Sequence, residues 1–381
     1  MNITSIQVKN EDNYNELSGF CDNYNLSYRF PKHIIPELRA DAFIAASLIP
    51  AMLTGKNIII EKNIPVSKKL LKNINTLQDI FFLWGPYLKK DFHRIEIIGG
   101  IESEPKTTND STVSFFSGGV DGTHTFLKNK NNIDYLLFSK GIDMQLSSKD
   151  LYEMAFAKNE AFLNKRGKKL YSIESNVRFL GHEYGLSWNI CFGGGLSSIA
   201  LAGGFKGCYI ASGLSYADMY PHGSIFVSDH LWGNEHTEII HDGAESRRID
   251  KIQSIAKDTD VLNILRVCWH DKGYNCGECE KCLRTMTSLR ALAITATTFP
   301  ECTDEVVTQK IAKLKLYEEH DGSFLAENLS EAKKSGDTVL VKALTKVQRN
   351  FQIRESVRML DEALLGQRLG GFKKWLKRVR S

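Results

Sequence analysis

The sequence contains little that would place the chain in a membrane or outside the cell. Its longest apolar run, Ala42–Leu53, is too short to span a bilayer and contains Pro50. The first ten residues include no apolar stretch of the kind that a signal peptide carries. With 42% hydrophobic and 25% charged residues, the composition is typical of a globular protein with a sizeable core. We therefore expect a cytoplasmic protein whose 381 residues form one large domain or two.

A strong charge of one sign is also missing. The chain has 49 basic and 45 acidic residues, and the positive excess lies in the tail 368–381, which has six basic residues and no acidic one. The body therefore lacks the basic field that binds nucleic acids. The tail, with Phe372 and Trp375 between its charges, could contact RNA or a membrane surface, and a solvated terminal helix is the alternative.

Apolar runs without clean alternation are separated by helical stretches in the middle of the chain. Strands of a parallel sheet that is covered on both faces have this pattern. We predict an α/β fold with a doubly wound, mostly parallel sheet, in which ligands bind at the carboxyl ends of the strands. The predicted strands are Val113–Phe116, Ile133–Phe138, Leu170–Ile173, Cys208–Ala211 and Leu262–Val267.

Changes in composition suggest three parts. Residues 1–110 predict a small α/β module that ends in the polar, breaker-rich segment Gly99–Asp110. Residues 111–292 contain the strand and helix alternation together with most of the chemistry. Residues 293–381 are helical in pattern, and such helices either cap a sheet or form a dimer contact.

The stretch Val113–Phe126 has the sequence of an anion site. An apolar strand meets Ser117-Gly118-Gly119, and a helical pattern starts near Thr123. Glycines let the backbone approach a ligand, and N–H groups at a helix N-terminus favour negative charge. The spacing matches neither a Walker A loop nor G-x-G-x-x-G. The segment predicts a phosphate or pyrophosphate site, and a glycine turn without a ligand is the alternative. Its residues are Ser117, Gly118, Gly119, Val120, Asp121, Gly122 and Thr123.

This S-G-G-V-D-G sequence resembles the S-G-G-x-D-S pyrophosphate loop of the N-type ATP pyrophosphatases. The resemblance implies an adenine nucleotide alpha hydrolase-like fold, ATP bound at this loop, Asp121 near the phosphates and Mg²⁺, and Asp143 near the adenosine. Gly122 stands where that family has serine, and Thr123 could supply the hydroxyl. The resemblance also implies a cation that stabilises the departing pyrophosphate. We select Asp121 and Lys251 as catalytic residues. Lys251 is chosen from four candidate cations, the others being Arg178, Arg247 and Arg248.

The segment Ser215–Glu238, after the fourth predicted strand, is rich in Tyr, His, Asp and Trp. Loops at strand ends carry specificity because the sheet holds them in place. We therefore predict that Tyr216, Asp218 and His222 contact a small-molecule substrate. Its histidines have no zinc-ligand spacing, and an ordinary surface loop is the alternative.

Four cysteines near residue 275 form a C-x7-C-x2-C-x2-C pattern. Four thiolates suit one tetrahedral Zn²⁺, and a closed site of this kind is structural. The alternatives are a redox C-x-x-C pair, an iron–sulfur cluster and four free thiols. The predicted ligands are Cys268, Cys276, Cys279 and Cys282.

The glycine turn and the cysteine pattern together resemble the 7-cyano-7-deazaguanine synthase family over residues 111–292. The resemblance implies ATP-dependent adenylation of a carboxylate or carbonyl group of a nucleobase-like or otherwise specialised small molecule, followed by attack of a nitrogen nucleophile. It also implies the cofactors ATP, Mg²⁺ and Zn²⁺. A nucleotide-binding subunit without catalysis and a tRNA-thiolating enzyme are the alternatives. The thiolation alternative needs a reactive cysteine, for which Cys191 is the candidate.

Overall fold

Ten β-strands form one sheet. The computed structural model describes residues 1–106, 109–142, 144, 146, 148–268, 270, 273–316 and 321–365. Asp143 and the basic tail, on which predictions were made, lie outside these ranges. The strands are β1 (Asn2–Asn10), β2 (Tyr14–Cys21), β3 (Tyr24–Pro31), β4 (Ile58–Val66), β5 (Ile97–Glu102), β6 (Asn109–Phe115), β7 (Tyr135–Lys140), β8 (Lys169–Ser175), β9 (Phe205–Ala211) and β10 (Glu238–Asp242).

The described part of the chain contains twelve α-helices. None of them combines the length and the apolar composition that crossing a bilayer requires. The helices are α1 (Asp41–Thr54), α2 (Lys68–Leu88), α3 (Val120–Asn129), α4 (Lys149–Asn164), α5 (Val177–Glu183), α6 (Trp188–Ala202), α7 (Phe226–Asp229), α8 (Arg248–Ile255), α9 (Glu280–Ala291), α10 (Asp304–Gln309), α11 (Asp321–Lys334) and α12 (Thr338–Leu365).

The strand order is β10-β9-β6-β7-β8-β3-β2-β1-β4-β5. Neighbouring strands run parallel from β10 to β8, and the pairs of β1 with β4 and of β4 with β5 are also parallel. The three pairs that include β2 or β3 are antiparallel. The prediction of an α/β fold with a mostly parallel sheet is therefore confirmed.

The strand order reverses at β6. The chain builds β7 and β8 on one side of β6 and then returns to place β9 and β10 on the other side. Ligands of open α/β sheets bind outside the carboxyl ends of the strands at such a reversal. The segments that leave β6 and β9, after Phe115 and Ala211, therefore flank the position where a ligand is expected.

The most apolar segment of the N-terminal part is buried, as expected from its composition. Helix α1 is buried from Asp41 to Met52, which explains why its sequence is apolar on every side. Ser67 caps α2, because its Oγ accepts a hydrogen bond from the backbone N–H of Leu70 at 2.9 Å. Strands β1 to β5 belong to the same sheet as β6 to β10.

Two compact units make up the chain, Met1–Asn275 and Cys276–Ser381. The first contains the sheet and a core that includes Phe43, Phe205 and Trp232. The second has its own apolar core, which includes Val307 and Leu344. The domain boundaries predicted at residues 110 and 292 remain predictions.

One predicted strand is wrong. Leu262–Val267 is not a strand, since Thr259–Asn263 form a 3-10 turn and the backbone that follows is irregular. The strand at this end of the sheet is β10, whose sequence E-I-I-H-D has only two apolar residues and was not predicted as a strand. The apolar side chains of Ile264, Leu265 and Val267 are buried without joining the sheet, so apolar content alone misidentified them.

Candidate functional site

The turn Ser117–Gly119 connects β6 to α3 at the strand-order reversal. Gly118 has a φ of +76°, a left-handed conformation that glycine adopts without strain. A Cβ atom there would lie 2.7 Å from Asn159 Oδ1 and 2.9 Å from the backbone oxygen of Ile264. Gly119 is the extended residue before α3, so the first N–H groups of that helix begin at the turn. The geometry is that of a strand, a tight turn and a helix N-terminus, as the sequence predicts.

Buried polar groups without hydrogen-bond partners surround this turn. Asn159 of α4 is fully buried, and neither atom of its amide is hydrogen-bonded within the described residues. The hydroxyl of Thr123, on the first turns of α3, is likewise buried and unpaired. Buried polar groups are nearly always paired in native proteins, so unpaired ones mark positions where a ligand or water belongs.

Arg266 is a further residue of this kind, and the sequence analysis did not select it. Its backbone N–H donates to the carbonyl oxygen of Gly118 at 2.9 Å, so it is attached directly to the turn. The side chain is 4% exposed, and its Nε and Nη2 atoms have no hydrogen-bond partner in the described ranges. An arginine within the apolar run L-N-I-L-R-V is the sequence signal that could have indicated it.

Asp121 lies in a cluster of charges on α3 and α8. It forms ion pairs with Arg248 and with Lys251, whose Nζ is 3.5 Å from the Asp121 carboxylate. Lys251 is almost completely buried and donates to the carbonyl oxygen of Ser212, the residue after β9, at 2.7 Å. Burial lowers the pKa of Lys251, and the charge of Asp121 opposes that shift. The structure thus brings two predicted catalytic residues together where the segments leaving β6 and β9 meet.

The other candidate cations differ in their surroundings. Arg178 donates to the carbonyl oxygen of Ile142 in the segment after β7. Arg247 is the residue that precedes α8. Of the four candidates from the sequence, Arg248 and Lys251 contact Asp121.

His124, beside this cluster, gives a testable pH dependence. Burial, reinforced by the charge of Lys251, lowers the pKa of His124 below its ordinary value of 6.5. The unfolded chain therefore binds a proton more readily at this position, and the free energy of unfolding falls as the pH drops through and below 6.5. We expect the His124→Asn variant to lose part of the fall in stability between pH 7.5 and pH 5.5. Urea unfolding of both proteins at the two pH values measures this fall. An equal fall in the wild type and in the His124→Asn variant would contradict a lowered pKa of His124.

The three predicted substrate residues lie in the segment after β9. Tyr216 is 54% exposed and contacts the edge of Phe226, with ring centres 5.5 Å apart. The Asp218 carboxylate accepts a hydrogen bond from Ser215 Oγ at 2.5 Å. His222 contacts Phe192 of α6, with ring centres 4.9 Å apart. Their role in substrate binding remains a prediction.

An aspartate–histidine pair that the sequence analysis missed lies at the end of β10. The Asp229 carboxylate is fully buried, and its Oδ2 is 2.7 Å from His241 Nδ1 and accepts a bond from Ser224 Oγ at 2.6 Å. This contact orients the imidazole through its Nδ1 atom. His241 was missed because β10 was not recognised as a strand.

The four predicted zinc ligands form a cluster. The sulfur atoms of Cys268, Cys276, Cys279 and Cys282 all lie within 4.8 Å of one another. Cys276 Sγ and Cys282 Sγ are 3.9 Å apart, close to the roughly 3.8 Å that tetrahedral Zn–S bonds of about 2.3 Å require.

Backbone N–H groups also donate hydrogen bonds to a sulfur atom of the cluster. Cys276 Sγ accepts from the N–H groups of Glu278 and Cys279 at 3.4 and 3.3 Å, which favours the thiolate that binds metal. Gly277, with a φ of +65°, allows the tight turn between Cys276 and Cys279. The cluster could therefore bind a metal such as zinc.

Comparison of the chain with models of protein families, with curated proteins and with solved structures finds no match.

Proposed function

We propose that the protein is an ATP-dependent enzyme that binds the phosphates of ATP at the Ser117–Gly119 turn and releases pyrophosphate. The observation that carries the proposal is the set of buried, unpaired polar groups at this turn. The amide of Asn159 lies beside Gly118, where a side chain would be strained, and the buried hydroxyl of Thr123 belongs to the start of α3 that follows the turn. A phosphate group would accept hydrogen bonds from these donors and from the first N–H groups of α3. The position at the strand-order reversal agrees with this ligand.

The chemistry that fits this ligand is adenylation of a carboxylate or carbonyl oxygen. The acceptor oxygen attacks the α-phosphorus of ATP, the bond to the bridging oxygen breaks, and pyrophosphate leaves with the electron pair. Asp121 would hold Mg²⁺, which offsets the charge of the phosphates when bound. Lys251 fixes the segment after β9 against α3, because it contacts both Ser212 and Asp121. Most of the catalysis would therefore be positioning and charge stabilisation.

A nitrogen nucleophile would complete the reaction by displacing AMP from the adenylate. Its attack on the activated carbon requires that a proton leave the nitrogen. His241 is the residue that we assign to accept it, because Asp229 holds the imidazole through Nδ1 at 2.7 Å. The acceptor would be a small molecule bound near Tyr216, Asp218 and His222.

A nucleotide-binding subunit without catalysis is the second candidate. Gly122 favours it, because this position lacks the hydroxyl that the resembling family has. A Cβ atom at Gly122 would lie 3.2 Å from the carbonyl oxygen of Phe115, so the backbone leaves little room for serine. The buried hydroxyl of Thr123, next in the chain, favours the catalytic function instead.

The thiolation alternative is disfavoured. Burial raises the pKa of Cys191 to about 12, so its thiol is protonated at neutral pH and is a poor sulfur nucleophile.

Pyrophosphate release from ATP and Mg²⁺ tests the proposal. Zinc-loaded protein would be assayed with a pool of deazapurine and carboxylate acceptors. We expect acceptor-dependent release, reduced about 100-fold in Asp121→Asn because the variant loses the charge that holds Mg²⁺.

Asp150→Asn is the matched control for that assay. Asp150 is exposed on α4, and we expect this variant to keep the activity of the wild type. ATP binding without acceptor-dependent release would favour the non-catalytic subunit, and the absence of both would overturn the proposal.

A further inference from the structure

We infer that Arg266 binds the β- and γ-phosphates of ATP and the pyrophosphate that leaves. This inference rests on the proposed function and identifies the cation of that site. The sequence offered four candidates for the role, and Arg266 was not one of them.

The first argument is the missing counter-charge. Arg266 is 4% exposed, forms no ion pair within the described ranges, and leaves its Nε and Nη2 atoms without acceptors. A buried guanidinium without an anion is costly, and buried charges are normally paired. An anionic ligand with several oxygen atoms would supply the missing acceptors, and guanidinium groups bind phosphate oxygens with two parallel hydrogen bonds.

The second argument is the location. The backbone N–H of Arg266 donates a hydrogen bond to the carbonyl oxygen of Gly118. A Cβ atom at Gly119 would lie 3.6 Å from the carbonyl oxygen of Arg266. The residue therefore belongs to the wall of the same turn where α3 begins. Arg248 and Lys251, by contrast, are already paired with Asp121.

The phenol of Tyr274 is used within the same segment. Its hydroxyl donates a hydrogen bond to the carbonyl oxygen of Ile264, two residues before Arg266, at 2.7 Å. This bond helps to hold the backbone that carries Arg266.

Asn275 holds the segment that carries Arg266. Its side-chain oxygen accepts from the N–H groups of Val267 and Cys268 at 3.0 and 3.3 Å, and its amide donates to the carbonyl oxygen of Leu265 at 2.9 Å. Three hydrogen bonds thus fix the backbone on both sides of Arg266. Asn275 is a positioning residue, because it acts on the anion through Arg266.

Calorimetric binding of inorganic pyrophosphate to the zinc-loaded full chain tests the inference. We expect Arg266→Gln to weaken binding about 10- to 100-fold, the worth of one or two lost hydrogen bonds to a charged group. Arg266→Lys restores part of the loss, because the charge remains without the planar fork. Asn275→Ala weakens binding less, and adding it to Arg266→Gln has no further effect, since it acts through the arginine.

Controls distinguish an error in the role of Arg266 from an error in the proposed function and from a variant that does not fold. Arg94→Gln removes an exposed arginine that pairs with Asp79, and we expect it to bind pyrophosphate like the wild type. Thermal unfolding of each variant checks that it is folded, and Arg266→Lys keeps the test decisive if the glutamine variant is not. Equal binding by the wild type, Arg266→Gln and Arg266→Lys would overturn the inference. Absence of pyrophosphate binding by the wild type would instead overturn the proposed function.

Discussion

The Cys276→Ser variant is expected to lose its metal and several kcal/mol of stability, the largest stability effect that we predict for a single substitution. Metal binding that occurs only in the folded state adds its free energy to folding, and structural zinc contributes roughly 10–16 kcal/mol in zinc-finger peptides. The effect here should be smaller, because residues 276–365 also have an apolar core that includes Val307 and Leu344. Elemental analysis and thermal unfolding would measure both changes.

Cys302→Ser is the control for this prediction. Cys302 is half-buried and lies outside the four-cysteine cluster, so its variant should keep one zinc per chain and nearly the stability of the wild type. Chelation of the wild type should reproduce the lower unfolding temperature of Cys276→Ser. A Cys276→Ser protein that retains its metal would show that the cluster is not the binding site.

Gly118→Ala should have the largest combined effect on stability and ligand binding at the turn. Alanine at a φ of +76° is strained, and its Cβ would lie 2.7 Å from Asn159 Oδ1 and 2.9 Å from the backbone oxygen of Ile264. We expect the free energy of unfolding to fall by about 1–3 kcal/mol. Pyrophosphate affinity should fall about 10-fold or more, because displacing Asn159 removes a hydrogen bond to a charged ligand. Urea unfolding and calorimetry measure the two effects.

Gly213→Ala separates this effect from the general cost of replacing glycine. Gly213 follows β9 near the same strand-order reversal, and a Cβ atom there would meet no other atom within 4 Å. We expect its stability and pyrophosphate affinity to match those of the wild type. A Gly118→Ala protein that behaves like Gly213→Ala would mean that the backbone of the turn tolerates a side chain and does not hold an anion.

The sequence predicted those parts of the fold whose pattern is local. Four predicted strands between residues 109 and 211 follow from their apolar runs. The hairpins of β1 to β3 and strand β10 were missed, because their pairing depends on partners elsewhere in the chain. Strand β3, for example, pairs with β8 through Tyr28 and Ser175, far apart in sequence.

The candidate site was predictable to a similar degree. The glycine turn and the cysteine cluster are contiguous motifs, and each occupies one short stretch of chain. Arg266 and Asn159 come from separate segments, and only the folded chain shows that both lie against Gly118. Their burial without partners cannot be deduced from residue type, since most arginines and asparagines are exposed.

The pairing of β3 with β8 has a consequence for synthesis of the chain on the ribosome. The hairpins β1 to β3 are complete by Pro31, but β8 emerges roughly 150 residues later, which takes about 10–30 s at common translation rates. During that interval the outer edge of β3 has unpaired backbone groups that another nascent chain could join. The nascent chain therefore depends on dilution or on chaperones to avoid aggregation through the edge of β3. Slow translation before residue 175 would lengthen the time for which this edge is unpaired.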